Sequence, residues 1–445
     1  MNCLQLKRYA QNRPPNSNFI IILFQSIATL NGTKKSCSFY GVPTGFHNLP
    51  TDVLIRIFKY FEEKELLKCI MPVCRKWQHA ALSPVLWKKF HASGTAPTYY
   101  ICQKLRTFSN LISIRLSNVA EPIAIIRQIS RYQPNLKHFA LRNSGVITET
   151  SLRNFIQCCK RLESLDLNGT KFKGNRFYEE IAGLMYLKSV NFSKNNYLSV
   201  HNLLSLVLNS RKLEELKISS FSPTKDEKQL SDEDVLFIIN NLAAQLKSLT
   251  LDTTTLTNFS FMAIMRCSNL EKLGLYRARN LSPDVIVNIS KHLHYLNTLK
   301  VRDAHLITGP NIAELFGNGK DAMKDIISID FTGCSKINDV GIKAIATCCS
   351  QLQLLRLKGC KSVKSLRPVR DHCTQLKMLN VAFCINLDPL SLLPLPKQMG
   401  IIIIDKNSRF NPIVQHANKE SHVSVKICLS EYNKLMEEYK HNYTK

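Results

Sequence analysis

Glycine and proline are scarce in this chain of 445 residues, at 16 and 17. Many small modules on flexible linkers would need more of both, so one extended body is favoured. Acidic residues are also in deficit, 33 against 60 lysines and arginines, which leaves a formal net charge of +27. That imbalance points to acidic partners: a protein surface, a phosphopeptide, nucleic acid or anionic lipid. No aromatic-rich RNA motif, helix-turn-helix signature or zinc-finger spacing accompanies it, and the basic residues scatter from Lys7 to Lys445, so direct nucleic-acid binding is disfavoured. No apolar run reaches the roughly 18 residues of a membrane-spanning helix, and none is expected. The 44% hydrophobic content is enough to bury a core.

Phe19 to Leu30 (FIIILFQSIATL) follows Lys7, Arg8 and Arg13 and has the look of the apolar stretch of a signal peptide. Gln25 and Ser26 interrupt it and Lys34 and Lys35 follow. Residues 1–45 are therefore read as a poorly ordered extension, with secretion as the competing reading and a cytoplasmic or nuclear location expected.

From Phe46 to Phe90 the sequence runs FHNLPTDVLIRIFKYFEEKELLKCIMPVCRKWQHAALSPVLWKKF. Leu54, Ile57, Phe58 and Phe61 follow helical spacing, and Pro50 and Asp52 suit a first turn, so a helix should begin near residue 50. A second is expected over Lys64 to Ile70 and a third from Pro72, with Val73, Trp77 and Ala80 or Ala81 along one stripe. Three short helices bury too little surface to be comfortable alone, so some of their apolar residues should meet a partner or the next domain.

The Leu49-Pro50 entry, Asp52-Val53-Leu54, Ile57-Phe58, Leu66-Leu67, Val73-Cys74-Arg75-Lys76-Trp77 and Leu86-Trp87 together resemble an F-box over residues 46–90. The resemblance implies docking onto the Skp-type adaptor of a cullin-RING ligase core. Carried over position by position, the adaptor-binding candidates are Leu49, Pro50, Val53, Leu54, Ile57, Leu66, Leu67, Cys74 and Trp77. The plainer alternative is a helical cap whose apolar residues only seal the end of a repeat array.

Beyond residue 100 a short phrase recurs, led by Leu111, Leu136, Leu162, Leu187, Leu213, Leu246, Leu270, Leu296, Ile326, Leu352 and Leu376. In each, apolar residues follow three and five positions later, as in Leu165-Leu167 and Leu355-Leu357. The step is 24 to 26 residues, lengthened near Ser222 to Leu230 and near Phe316 to Asp325, where surface loops are expected. One such unit cannot close a core, whereas stacked units share one. The expected fold is α/β: a three-helix F-box followed over residues 91–405 by a curved leucine-rich-repeat solenoid, parallel strands concave and helices such as that of Val340, Ile342 and Ile345 convex. Met399-Ile402-Ile404 would form a closing strand, and residues 406–445 a cap and tail, with a helix around Glu431 to Tyr439.

The cysteines follow the repeat. Cys159, Cys267, Cys349 and Cys373 each precede a leading leucine by three residues, and Cys334, Cys360 and Cys384 each follow the last apolar residue by three. Small thiols packed in turns account for them. The pairs Cys158-Cys159 and Cys348-Cys349 lack zinc-ligand spacing, and His372 beside Cys373 makes no catalytic arrangement, so no metal, cofactor or catalytic residue is expected. Free thiols in such number suit a reducing compartment. The later repeats, above all FTGCSKINDVGIKAIATCCSQLQLLRLKGC, are similar to those of F-box/leucine-rich-repeat receptors.

Residues two, four and six after each leading position should point out of the sheet. They nominate Lys272, Tyr276, Lys300, Arg302, Arg356 and Lys358 as substrate contacts, with Asp330 among them and Arg115, Arg142 and Lys217 nearer the N-terminus. Such a patch suits an acidic or phosphorylated segment. The function implied is that of a non-catalytic substrate receptor of an SCF-type ubiquitin ligase, its substrate unidentified. A ligase-independent repeat scaffold is the alternative.

Overall fold

The computed structural model describes residues 49–61, 65–108, 110–172, 174–195, 197–210, 212–219, 229–318, 323–420 and 422–428. The extension with its apolar stretch, most of the 222–230 loop, residues 319–322 and the helix expected at 431–439 lie outside them. The chain divides into two compact units between Ala81 and Leu82.

In the first unit a helix spans Thr51–Phe58 with Pro50 as its N-cap and Asp52 in its first turn. The segment expected as the second helix holds one π-helical turn, Leu66–Ile70. The third helix is Arg75–Ala81, so Pro72 lies in the preceding turn and does not start it. Cys74 takes that place: its Sγ accepts from the Trp77 N–H at 3.5 Å, satisfying a donor that the helix itself leaves open. Leu54, Phe58, Leu66, Ile70, Trp77, Ala80 and Ala81 are buried, and Phe58 meets Trp77 edge-on with ring centroids 5.2 Å apart.

The second unit holds a 14-stranded parallel sheet. Its strands are β1 (Lys89–Ser93), β2 (Ser113–Ser117), β3 (His138–Arg142), β5 (Ser164–Asp166), β7 (Ser189–Asn191), β8 (Glu215–Ile218) and β9 (Ser248–Asp252). β10 (Lys272–Tyr276), β11 (Thr298–Val301), β12 (Ser328–Asp330), β13 (Leu354–Arg356), β14 (Met378–Asn380), β15 (Ile401–Asp405) and β16 (Ser424–Cys428) complete it. β4 (Val146–Ile147) and β6 (Lys171–Phe172) pair separately. Three strands have particular interest: β1 begins at the end of the stretch that resembles an F-box, β15 is the expected closing strand, and β16 extends the sheet past it after a helix at Asn411–Lys419.

The strands of the leucine phrases turn their apolar pair inward, and residues such as Leu165, Leu167, Leu249 and Leu251 are fully buried. Helices then lie across the strands, as at Asp339–Cys348, where Ile342 and Ile345 are buried but Val340, read as part of the covering face, is exposed. The loop expected from Phe316 begins later than that, because Phe316 and Gly317 belong to a helix at Gly309–Asn318 and Phe316 is buried. A left-handed residue follows most strands: Asn118, Asn143, Gly169, Lys194, Arg277, Asp303, Gly333, Gly359 and Phe383. The chain turns out of the sheet at these positions, and glycine, asparagine and aspartate adopt that conformation at least cost.

The cysteines close the next turn. The thiols of Cys334, Cys360 and Cys384 donate to the carbonyls of Val301, Phe331 and Leu357 in the preceding repeat, at 3.3, 3.1 and 3.0 Å. Thr170 does the same for Leu141 at 2.7 Å, so a repeat without cysteine uses a hydroxyl. Burial pushes the Cys159, Cys267, Cys334, Cys373 and Cys384 thiols up to about 12, which leaves them un-ionised at neutral pH.

Candidate functional site

Two surfaces carry the residues that the sequence nominates. On the first unit, Pro50 and Val53 are exposed, Val53 at 37%, while Leu49, Ile57 and Cys74 are half-buried. Leu54, Leu66 and Trp77 are at most 1% exposed. These three fill the interior of the module, whereas the other described candidates reach its surface. An amphipathic stripe does not tell a core residue from a docking residue, because both are apolar. The Leu67 side chain lies outside the described ones.

On the second unit the parallel register sets one outward residue of each strand beside that of the next. The row runs His91, Arg115, Ala140, Asp166, Asn191, Lys217, Thr250, Gly274, Lys300, Asp330, Arg356, Asn380. Nearest the N-terminus, His91, Ser93, Arg115, Ser117 and Arg142 border a shallow hollow of about 370 Å³. Arg142 is spoken for by Asp166, Nε to Oδ2 at 2.9 Å, and Lys217 by Glu215 at 2.7 Å.

Farther along, Lys300, Arg302 and Arg356 lie around Asp330, and Tyr276 backs Arg302. Arg302 donates to Asp330 Oδ2 from Nε at 3.0 Å and Nη2 at 2.6 Å, and its guanidinium lies 4.5 Å from the centroid of the Tyr276 ring. Arg356 approaches the same oxygen to 3.6 Å from the other side. Burial works against charge on Asp330, but Arg302 and the hydrogen bonds from Thr332 outweigh it and hold the carboxyl below its ordinary value. Lys300 moves the other way: burial pulls its ammonium down, and the charges of Arg356, Arg302 and Lys217 add to this, with Asp330 opposing. Lys358 is not in the cluster and lies over the Phe383 ring at 5.5 Å. Lys272 sits on an adjoining row, in register with Ser248 and Thr298.

Two features escaped the sequence reading. Gly274 stands in the row beside Lys300 and removes a side chain there; a glycine inside a strand is the signal that could have shown it. Half-buried Leu354, Met378 and Ile401 form an apolar row next to the charged one, overlooked because only charged and aromatic outward positions were weighed. Among the described residues no group of three or more His, Cys, Asp or Glu is placed to hold a metal ion, and no helix is long and apolar enough to cross a membrane.

Residues 46–93 match the F-box-like family model. An F-box/LRR-repeat protein of Arabidopsis thaliana is 37% identical over 54 residues, 12% of this chain and 18% of the relative, so the chain spans less than a fifth of that protein's length in the match. The crystal structure of the yeast Rad7 and Elc1 complex contains a chain that superposes with a TM-score of 0.56 at 14% identity, covering 86% of this chain and 97% of that one; at that identity the likeness concerns the fold alone. The fold is a leucine-rich-repeat solenoid. An F-box-like domain precedes it in the sequence, at residues 46–93.

Proposed function

We propose that this chain is the substrate-recognition subunit of an SCF-type ubiquitin ligase. The observation that carries the reading is the coincidence of the F-box-like match with an exposed apolar edge, Pro50 and Val53 flanked by Leu49 and Ile57, on a module that buries too little surface to be comfortable alone. That edge, with Cys74 beside the third helix, docks on a Skp-type adaptor and through it on the cullin-RING core. Rad7, similar in fold, was crystallised in complex with a second protein, Elc1, which accords with an adaptor-linked role.

The chain itself does no bond chemistry in this reading. The repeats hold a substrate protein, and the ligase core brings the ubiquitin-loaded enzyme to it, so transfer is promoted by raised effective concentration. A location in the cytoplasm or nucleus follows from the partners. Affinity purification of the full chain beside a version lacking residues 46–90, with degradation blocked, tests the assignment. Loss of the adaptor and cullin on deletion, with other partners retained, is the expected result; an adaptor absent from the wild type, or undiminished by the deletion, would refute it.

A further inference from the structure

Exposed apolar side chains gather at one end of the repeat helices. β5, β7 and β8 are successive strands of the sheet, and each is entered by a turn that follows a helix. The turn after the helix Arg176–Ala182 leaves Met185 73% and Tyr186 49% exposed, and the last turn of the next helix, Val200–Asn209, leaves Leu208 57% exposed. Three large apolar side chains in water on neighbouring repeats mark a surface that something covers.

Cations flank them on both sides. Lys160 and Arg161 are exposed in the preceding turn, after the helix Glu149–Cys158, and neither has a hydrogen-bond or ion-pair partner among the described residues. Lys212 is exposed in the following turn with its Nζ 5.8 Å from the centroid of the Tyr186 ring, so neighbouring turns share one surface. The acids close by are already engaged: Glu163 by Lys137 at 2.7 Å, Glu214 by Lys188 at 3.7 Å and Lys247 at 2.9 Å, and Glu180 by Arg153 at 2.7 Å. Glu179, exposed on the helix Arg176–Ala182, acts on the same arginine. A helix dipole accounts for cations near a helix C-terminus, but not for Met185, Tyr186 and Leu208 between them.

We propose that this end of the repeats rests on an anionic lipid surface, with Met185, Tyr186 and Leu208 entering the boundary between headgroups and acyl chains and Lys160, Arg161 and Lys212 pairing with lipid phosphates and carboxylates. Each half of the surface disfavours another occupant. A nucleic-acid backbone would engage the cations and leave Met185 and Leu208 in water. A folded protein would need hollows to receive side chains that stand out from the turns, whereas a bilayer yields to them. Tyrosine suits the boundary, since its ring is apolar and its hydroxyl wet. Each lysine or arginine near such a surface gains about fivefold in binding from the negative potential there. The contact is peripheral and is independent of the receptor reading.

The test is sedimentation of the full chain with vesicles of phosphatidylcholine alone, or of phosphatidylcholine and phosphatidylserine in equal parts. The mixed vesicles should bind the chain about tenfold or more better than the zwitterionic ones, and added salt should weaken that preference. Because Phe19 to Leu30 is itself apolar, variants decide the matter and not binding alone. Lys160→Gln with Arg161→Gln should weaken binding to the mixed vesicles by about tenfold or more, and Met185→Ser with Tyr186→Ser should do the same, both with unchanged thermal melting because these side chains lie outside the core. Lys343→Gln with Lys361→Gln, an equal loss of exposed charge several repeats away, should change nothing. Met185→Trp reports insertion: Trp77 and Trp87 are buried, so brominated lipids should quench only the emission that the substitution adds. Vesicle binding that either of the first two double variants leaves intact, equal loss in the charge-matched control, or no quenching overturns the proposal. So does tight binding of a labelled homopolymeric RNA that Lys160→Gln with Arg161→Gln removes, because the cations would then serve nucleic acid.

Discussion

Arg302 places two donors on a single oxygen of Asp330, at 3.0 and 2.6 Å, and that carboxylate has no solvent exposure at all. A buried charge so dependent on one partner makes the pair a structural element of the sheet as well as part of its surface chemistry.

Asp330→Asn should therefore destabilise the repeats by about 3 kcal/mol, the usual cost of breaking a buried ion pair by removing one partner. Because the native carboxyl sits below its ordinary value, its stabilisation is complete above the unfolded-state value and disappears as pH falls through the native one. Urea unfolding of wild type and variant should differ clearly at pH 7 and converge as pH drops below the ordinary carboxylate range. A gap of constant size across that range would show that the charge of Asp330 is not what stabilises.

Reactivity separates the thiols. Exposed Cys158 should be alkylated readily in the native protein, whereas Cys159, Cys267, Cys334, Cys373 and Cys384, buried and pushed up to about 12, should react only on unfolding. Pulse labelling with peptide mass spectrometry reads each site. Rapid native labelling of Cys334 or Cys384 would contradict the turn-closing role.

The left-handed positions give opposite expectations for two substitutions. Lys194 adopts a φ of 60° with an exposed side chain, so Lys194→Gly should relieve a cost of order 1 kcal/mol, less the entropy that glycine adds to the unfolded chain. At Gly333, φ is 80° and a Cβ would clash with Asp303 Oδ1. Gly333→Ala should lower the melting temperature, and a calorimetric comparison of the two variants decides.

In the N-terminal unit Trp77→Ala should act on folding, costing about 3–5 kcal/mol as buried aromatic truncations do. Limited proteolysis should then cut within residues 49–81 while the repeats persist. Unchanged resistance would mean that Trp77 is not a core residue.

The strands at the leucine phrases were legible because each must give its two apolar residues to a core shared with its neighbours, which fixes their spacing. The cysteine turns were legible for the same reason, although the hydrogen bonds that Cys360 and Thr170 make to the preceding repeat were not, since no single repeat contains both partners. Long-range pairing also hid the nature of Asp330. In sequence it is one outward charge among several; in the structure it is enclosed by Arg302, 28 positions away, and by Arg356. Terminal strands were hardest: β1 and β16 lack the full phrase, because an edge strand has a neighbour on one side only. Helical spacing already put Leu54 on the inner stripe with Phe58, but the resemblance gave Leu54 and exposed Val53 the same role, and only the fold separates them.

The most direct test of the receptor assignment is a binding titration of purified Skp-type adaptor against the full chain and its Val53→Glu variant, a change confined to an exposed side chain. The wild type should bind, and the variant should bind at least tenfold more weakly with the same melting curve. No binding by the wild type, or equal binding by both, would contradict the account.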